Sequence, residues 1–349
     1  MKHYLLPKDL EYFKVNMHCH TVLSDGEKTP EEIKRDYKAH GYSAVAFTDH
    51  DKYIDHQDLT DDGFVALNGF ELEYYREGFM WKGMTTHLCF VAKDPANSAL
   101  GWSDPAQNCF APSLAEGEHP LQTGGGLYKV LPCARAFSPE YINADIAAGK
   151  KMGFFVTYNH PTWSLERYPR YSAFEGMDAM EMVNYDCIQE AYEDDNGRVY
   201  NDLLELGRNI GCIATDDNHN AYPDGDPRSD SYGGCTMIGA EKLSYGGLIK
   251  GLENKLYYCR GIVNPNTDEA PYIRALWMEN GHVFIETSPV RNIFFVRNTR
   301  PFVRAGAVPG ETVSAAEFDP SGADWFRIVI ISKGGNKAYT NAYFMEDFL

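Results

Sequence analysis

As far as about residue 260, short apolar runs alternate with segments whose apolar residues recur every three to four positions. The runs predict strands over Val15–His18 and Ser43–Thr48, and over 64–72, 86–92, 153–158, 178–184 and 211–215. The helical periods predict helices from Thr29 to His40 and over 139–151, 187–208 and 244–254. The first of these has a full set of start signals. Thr29 can cap it, Pro30 suits its first turn, and Glu31 and Glu32 lie near the positive end of its dipole, while Gly41 stops it. Strands alternating with helices imply a parallel sheet, and this many units predicts a barrel of the α/β class.

Two regions break the rhythm. Residues 94–137 are rich in Pro, Gly and Ser and include Gly124-Gly125-Gly126. That is too long for a passive connection and reads as an insertion or lid. After residue 262 the helical period disappears, and Ile273–Met278, His282–Thr287, Asn292–Val296 and Trp325–Ser332 alternate as strands between turns. The expected organisation is a barrel over 1–262, with its insertion at 94–137, and a small β-rich domain over 263–349.

Composition narrows the function. The net charge of −18 disfavours tracking along long nucleic acid, although a cluster of divalent cations would reverse the sign locally and admit a small anion. No run approaches the roughly 20 apolar residues of a membrane span. The opening segment is broken by Pro7 and by charges before a signal-peptide core could form, so the cytoplasm is the expected compartment. The eight cysteines are scattered without a Cys-x-x-Cys pair, which speaks against a disulfide framework or a structural zinc knuckle.

The histidines carry the chemistry. Six of the 11 sit at or just beyond predicted strand ends, namely His18, His20, His50, His87, His160 and His219. Asp25, Asp49, Glu71, Asp216 and Asp217 accompany them. Side chains two apart on a strand share a face, so His18 and His20 can point together while Cys19 turns away into packing. Mixed imidazole and carboxylate donors suit zinc, manganese or iron. A single histidine is usually a surface or satisfied core residue; recurrence at strand ends is what changes the reading.

The motifs His18-Cys-His20, Ser24-Asp25-Gly26, Thr48-Asp49-His50-Asp51, Gly69-Phe-Glu71, Thr86-His87-Leu88, Asn159-His160-Pro161 and Asp217-Asn-His219 resemble the PHP (polymerase and histidinol phosphatase) family in order and spacing. The resemblance covers about residues 14–260. It implies a distorted (β/α)7 TIM-like barrel with nine ligands for three divalent metal ions. One metal would take His18, His20, Glu71 and Asp217. A second, bridged by Glu71, would take His87 and His160, and a third Asp25, His50 and His219. The Asp-x-His spacing favours Asp217 over Asp216 as the ligand. Asp216 is then expected behind it, and Asp49 either as a hydrogen-bond partner of a ligand imidazole or in a structural turn.

The resemblance further implies a metal-dependent phosphoesterase acting on a small phosphorylated substrate, such as a nucleotide, through a metal-activated hydroxide. Glu71, Asp217 and His219 would be its catalytic residues. Arg135 and Arg170 are the first choices for binding phosphate oxygens, ahead of Arg167, Arg198 and Arg228. Tyr158, Trp163 and Tyr168 could stack a base or sugar or simply pack the core. The alternatives are a monoesterase of the histidinol phosphatase type, a hydrolase of C–N or C–O bonds, and a metal-stabilised module that binds without catalysis.

Overall fold

The computed structural model describes residues 2–75, 83–97, 136–192, 196–262, 270–306 and 308–348. The expected insertion at 94–137, including Arg135, lies almost wholly outside them. The first half runs β1 (His3–Leu6), β2 (Glu11–Asn16), α1 (Pro30–Ala39), β3 (Ala44–Phe47), β4 (Val65–Tyr75) and β5 (Thr85–Ala92). Then come α2 (Pro139–Lys151), β6 (Phe154–Asn159), β7 (Ala179–Asn184), α3 (Tyr185–Gln189), α4 (Gly197–Glu205) and β8 (Gly211–Thr215). The chain continues through β9 (Gly234–Ala240), α5 (Tyr245–Glu253), β10 (Tyr257–Gly261), β11 (Ile273–Glu279), β12 (His282–Val290), β13 (Asn292–Arg297) and β14 (Arg300–Gly306). It closes with β15 (Val313–Phe318), β16 (Trp325–Ile331), β17 (Lys337–Thr340) and β18 (Tyr343–Phe344). No helix among the described residues is long and apolar enough to cross a membrane.

The fold is mixed α/β and rich in sheet. One large sheet has the order β14-β13-β16-β17-β10-β9-β2-β3-β4-β5-β6-β7-β8, with β18 on β16, and a smaller one the order β1-β11-β12-β15. Parallel pairing holds between β2, β3 and β4 and again between β6, β7 and β8. Between these runs the expected alternation fails: β4, β5 and β6 pair antiparallel. The physical reason is connection length. Only residues 76–84 separate β4 from β5, whereas a parallel crossover takes about a dozen residues or more. Hydrogen bonds also cross residue 262 in both directions, because β17 pairs with β10 and β1 with β11.

Local sequence explains the helix boundaries. Thr29 and Glu32 form the reciprocal capping box at the start of α1, and Pro30 occupies its first turn. The helix expected over 187–208 is instead two pieces. Ala191 adopts a left-handed backbone (φ 65°), which α-helical hydrogen bonding does not allow. Apolar side chains from α2, α4 and strands β4 to β8, among them Ile142, Leu203, Phe70, Phe90 and Met180, form one core. A second core joins Val45 and Phe47 of β3 to Leu276, Phe295 and Phe326 of the later strands.

Two segments leave the sheet still paired. Beyond β2 and β8, Cys19 bridges Asn218 in parallel, His20 N–H donates to Asn218 O (3.1 Å), and Asp217 N–H donates to His18 O (3.0 Å). Gly234 makes the neighbouring approach possible: a Cβ there would lie 1.9 Å from Thr215 O. Its N–H donates to Asp216 Oδ1 at 2.6 Å, so β9 holds the turn that carries Asp217.

Candidate metal centre

His18 and His20 lie past the end of β2, because the strand stops at Asn16 rather than continuing to His18. Their alternation survives the loss of the strand. The two Nε2 atoms face each other at 3.1 Å, while Cys19 is fully buried and joins the apolar core. His50 follows β3, Glu71 and His87 lie within β4 and β5, His160 follows β6, and Asp217 and His219 follow β8. All nine residues named from the sequence meet in one region. His160 and Asp217 reach it on left-handed backbone (φ 24° and 55°), a conformation that costs a non-glycine residue about 1 kcal/mol or more.

Glu71 is the centre. Its Oε2 lies 3.2 Å from His18 Nε2, 3.3 Å from His20 Nε2 and 3.2 Å from His50 Nδ1. Its Oε1 lies 3.1 Å from His87 Nδ1 and 3.4 Å from His160 Nε2. Asp217 faces the same two sides, with Oδ1 3.0 Å from both His18 and His20, and Oδ2 3.6 Å from His160. The donor atoms fall into four overlapping groups: His18, His20, Glu71 and Asp217; His20, Asp25, His50 and His219; His50, Glu71 and His87; and His18, His160 and Glu181. His20 belongs to the first two. Asp25, 36% exposed, lies 3.4 Å from His20 Nδ1 and 3.6 Å from both His50 and His219 Nε2, which makes the second group the open side of the cluster.

Hydrogen bonds behind these atoms fix which face each presents. His18 Nδ1 lies 2.7 Å from Glu181 Oε1, and a carboxylate can only accept, so Nδ1 carries a proton and Nε2 is the atom turned toward Glu71 and Asp217. His219 Nδ1 donates to Asp217 O (2.9 Å), turning its Nε2 toward Asp25. Asn159 donates to Glu71 Oε1 (2.9 Å) and Asn184 to Asp217 Oδ2 (3.0 Å). Glu181 also accepts from Thr215, from Asn184 and from the His160 backbone N–H.

The motifs do not reveal Glu181, Asn159 or Asn184 as supports. The available signal was a lone glutamate in the otherwise apolar run of β7, which has no reason to be buried unless paired. Asp49 braces the chain rather than an imidazole: it accepts from Thr21 N and Oγ1 and from Ser24 Oγ (2.7 Å). Asp216 likewise supports the turn, taking Tyr37 OH (2.8 Å), Tyr232 N–H (2.8 Å) and Gly234 N–H.

The electrostatics favour positive charge. Burial opposes protonation of His18 and His20, yet Asp217 and Glu71 beside them draw both imidazoles well above their ordinary pKa. Burial also opposes ionisation of Glu71, and His18, His87 and His50 nonetheless hold it well below the usual carboxylate range. Burial above all pushes the Cys19 thiol up, which removes it as a nucleophile.

A cavity of about 340 Å³ opens over the cluster, lined by Asp25, His50, Glu71, His87, His160, Asp217 and His219 together with Trp163, Tyr222 and Arg228. Arg170, expected to bind phosphate, is absent from this lining. Its guanidinium lies over the Phe137 ring at 3.6 Å and its Nε lies 3.3 Å from Glu166. Arg198 is exposed and paired with Asp202. Of the aromatic candidates, Trp163 lines the cavity, Tyr158 is buried in the core and Tyr168 is 65% exposed.

No family model matches the chain, and neither does any curated protein. Solved structures similar to it include a two-domain protein from Bacteroides vulgatus described as containing a predicted PHP-like metal-dependent phosphoesterase. The two are 15% identical over 98% of each chain, with a TM-score of 0.46. A protein from Bifidobacterium adolescentis, named as a candidate metal-dependent phosphoesterase, is 17% identical over 62% of this chain and 92% of its own, with a TM-score of 0.38. An amidohydrolase from Chromobacterium violaceum, with bound sulfate and no metal, is 18% identical over 59% of this chain and 87% of its own, with a TM-score of 0.37.

Proposed function

We propose that the protein is a metal-dependent phosphoesterase of the PHP type, acting on a small phosphorylated substrate at a trinuclear site. The observation that supports this most is the position of Glu71, whose two oxygens face two different sets of imidazoles. In this reading the strands from β9 through β8 form the wall of a distorted (β/α)7 barrel, and residues 263–349 pack a β-rich domain against it. The compartment that suits such an enzyme is the cytoplasm.

The donor set fits divalent cations. His18 Nε2 lies 3.0 Å from Asp217 Oδ1 and 3.2 Å from Glu71 Oε2, so a positive charge, a proton or a metal ion, belongs between them. Buried His87 Nε2 has no hydrogen-bond partner, although groups at that depth usually have one. His18, His20, Glu71 and Asp217 would hold one ion; His87 and His160, with Glu71, a second; and Asp25, His50 and His219 a third. Zinc, manganese or iron suits these donors, and such ions supply Lewis-acid stabilisation of phosphoryl oxygens and lower the pKa of water to about 7.

The chain's own residues do the rest. Glu181, Asn159 and Asn184 orient His18, Glu71 and Asp217. The carboxylates of Glu71 and Asp217 can take up a proton from an attacking water. His219, fixed through Nδ1, keeps Nε2 on the open side facing Asp25, where it would hold the third ion. Arg228 is the cation of the described lining, although it is already paired with Asp226 at 2.9 Å.

Screening the metal-loaded protein against phosphomonoesters, phosphodiesters and lactones side by side tests the reading. Release of phosphate from monoesters, or cleavage of diesters, is expected; hydrolysis confined to lactones would reject it. Glu181→Gln places an amide N–H₂ against groups that all donate, so metal affinity is expected to fall about 10- to 100-fold. Competition with a chromogenic chelator measures that loss, and unchanged affinity would remove Glu181 from the account.

A further inference from the structure

Four carboxylates besides the proposed ligands line the cavity: Glu73, Asp186, Glu190 and Asp230. Asp230 accepts from the backbone N–H groups of His219 (2.7 Å) and Asn220 (2.8 Å), and Glu190 accepts from Trp163 Nε1 (2.7 Å). The Trp163 side chain is therefore pinned at its polar edge. It is also pinned at its apolar end, standing edge-to-face against His160 (centroids 5.0 Å, 81°) and His87 (5.5 Å, 68°).

The residues on either side of it are held as well. Ser164 N–H donates to His160 O (3.0 Å), Thr85 N–H donates to Ser164 O (3.0 Å), and Thr162 Oγ1 donates to Asn196 Oδ1 (2.6 Å). A large, half-buried, amphipathic ring held at both ends beside two proposed ligands offers a flat wall at little further cost in conformational freedom. Tyr222, with the Arg228 guanidinium over its ring at 4.0 Å, lines the same cavity. Glu73, Glu190 and Asp230 disfavour additional negative charge on whatever occupies the space.

We infer that Trp163 is a specificity-determining residue, the wall against which a flat, uncharged organic group packs while the phosphoryl group sits on the metal cluster. The inference rests on the phosphoesterase reading and names the class of substrate within it: monoesters of planar, uncharged alcohols or phenols. Arg170, expected to help bind substrate, has no part in it.

Calorimetric titration of the metal-loaded protein with phenylphosphonate, propylphosphonate and 4-carboxyphenylphosphonate tests the inference without turnover. Phenylphosphonate is expected to bind about tenfold more tightly than either of the others. Trp163→Ala is expected to erase its advantage over propylphosphonate, Trp163→Phe to keep most of it, and metal content to stay unchanged in both. Equal binding of phenyl- and propylphosphonate by the unaltered protein, or an advantage that survives Trp163→Ala, overturns the inference and leaves the phosphoesterase reading standing. Equal binding of the carboxylated probe overturns its uncharged half. If no phosphonate binds at all, the phosphoesterase reading fails and the inference falls with it.

Discussion

His20→Ala is expected to cut phosphoester hydrolysis by a factor of about 10³ to 10⁴ while leaving the fold intact. The size follows from position. His20 is the one side chain that belongs to both the inner group with His18, Glu71 and Asp217 and the outer group with Asp25, His50 and His219. Removing it takes a donor from the inner ion and the imidazole that faces Asp25 in the outer group, and metal stabilisation of the developing charge is worth several kcal/mol, each 1.4 kcal/mol being tenfold in rate. The fold should survive because the apolar cores do not include the imidazole. Steady-state kinetics with metal analysis checks both halves: bound metal should fall with the rate, and the far-ultraviolet dichroism should not change. A variant with full metal content and full activity would show that His20 holds nothing.

Asp216, one residue from a proposed ligand, should behave in the opposite way. Its two oxygens accept from Tyr37 OH, Tyr232 N–H and Gly234 N–H, with no exposure to water. Asp216→Ala orphans the two backbone donors, while Tyr37 OH keeps Asn218 Oδ1, and each buried donor left unpaired costs about 1–3 kcal/mol. The expected loss is about 3–4 kcal/mol of stability, read as a lowered denaturant midpoint at unchanged slope. Asp216→Asn should recover only part, because its amide N–H₂ must face one of these donors. Loss below 1 kcal/mol in the alanine variant would mean that water reaches the site. The two residues thus separate cleanly: His20 is expected to carry chemistry and little stability, Asp216 the reverse.

What was legible in the sequence follows from which signals are local. The Thr29–Glu32 box and Pro30 fix the start of α1 within the chain itself, and the structure has that box. The strand ends that bring His50, His160 and Asp217 together could be read because apolar runs stop there. The antiparallel turn from β4 through β6 was less visible, since period alone does not give strand direction; the short connection over 76–84 was the clue. Supports such as Glu181 were missed for a different reason. Their partners are far away in the chain, as with His18 and Glu181, 163 positions apart. Arg170 illustrates the converse: its proximity to the His160 strand suggested the site, but Phe137 and Glu166 hold its guanidinium.

The central claim is that this cluster of imidazoles and carboxylates is a three-metal centre, and metal stoichiometry tests it most directly. Protein purified without chelators, then equilibrated with manganese or zinc and freed of excess ion, should carry close to three equivalents by plasma mass spectrometry. His20→Ala should retain distinctly fewer. Unaltered protein that remains metal-free after the same equilibration would contradict the account.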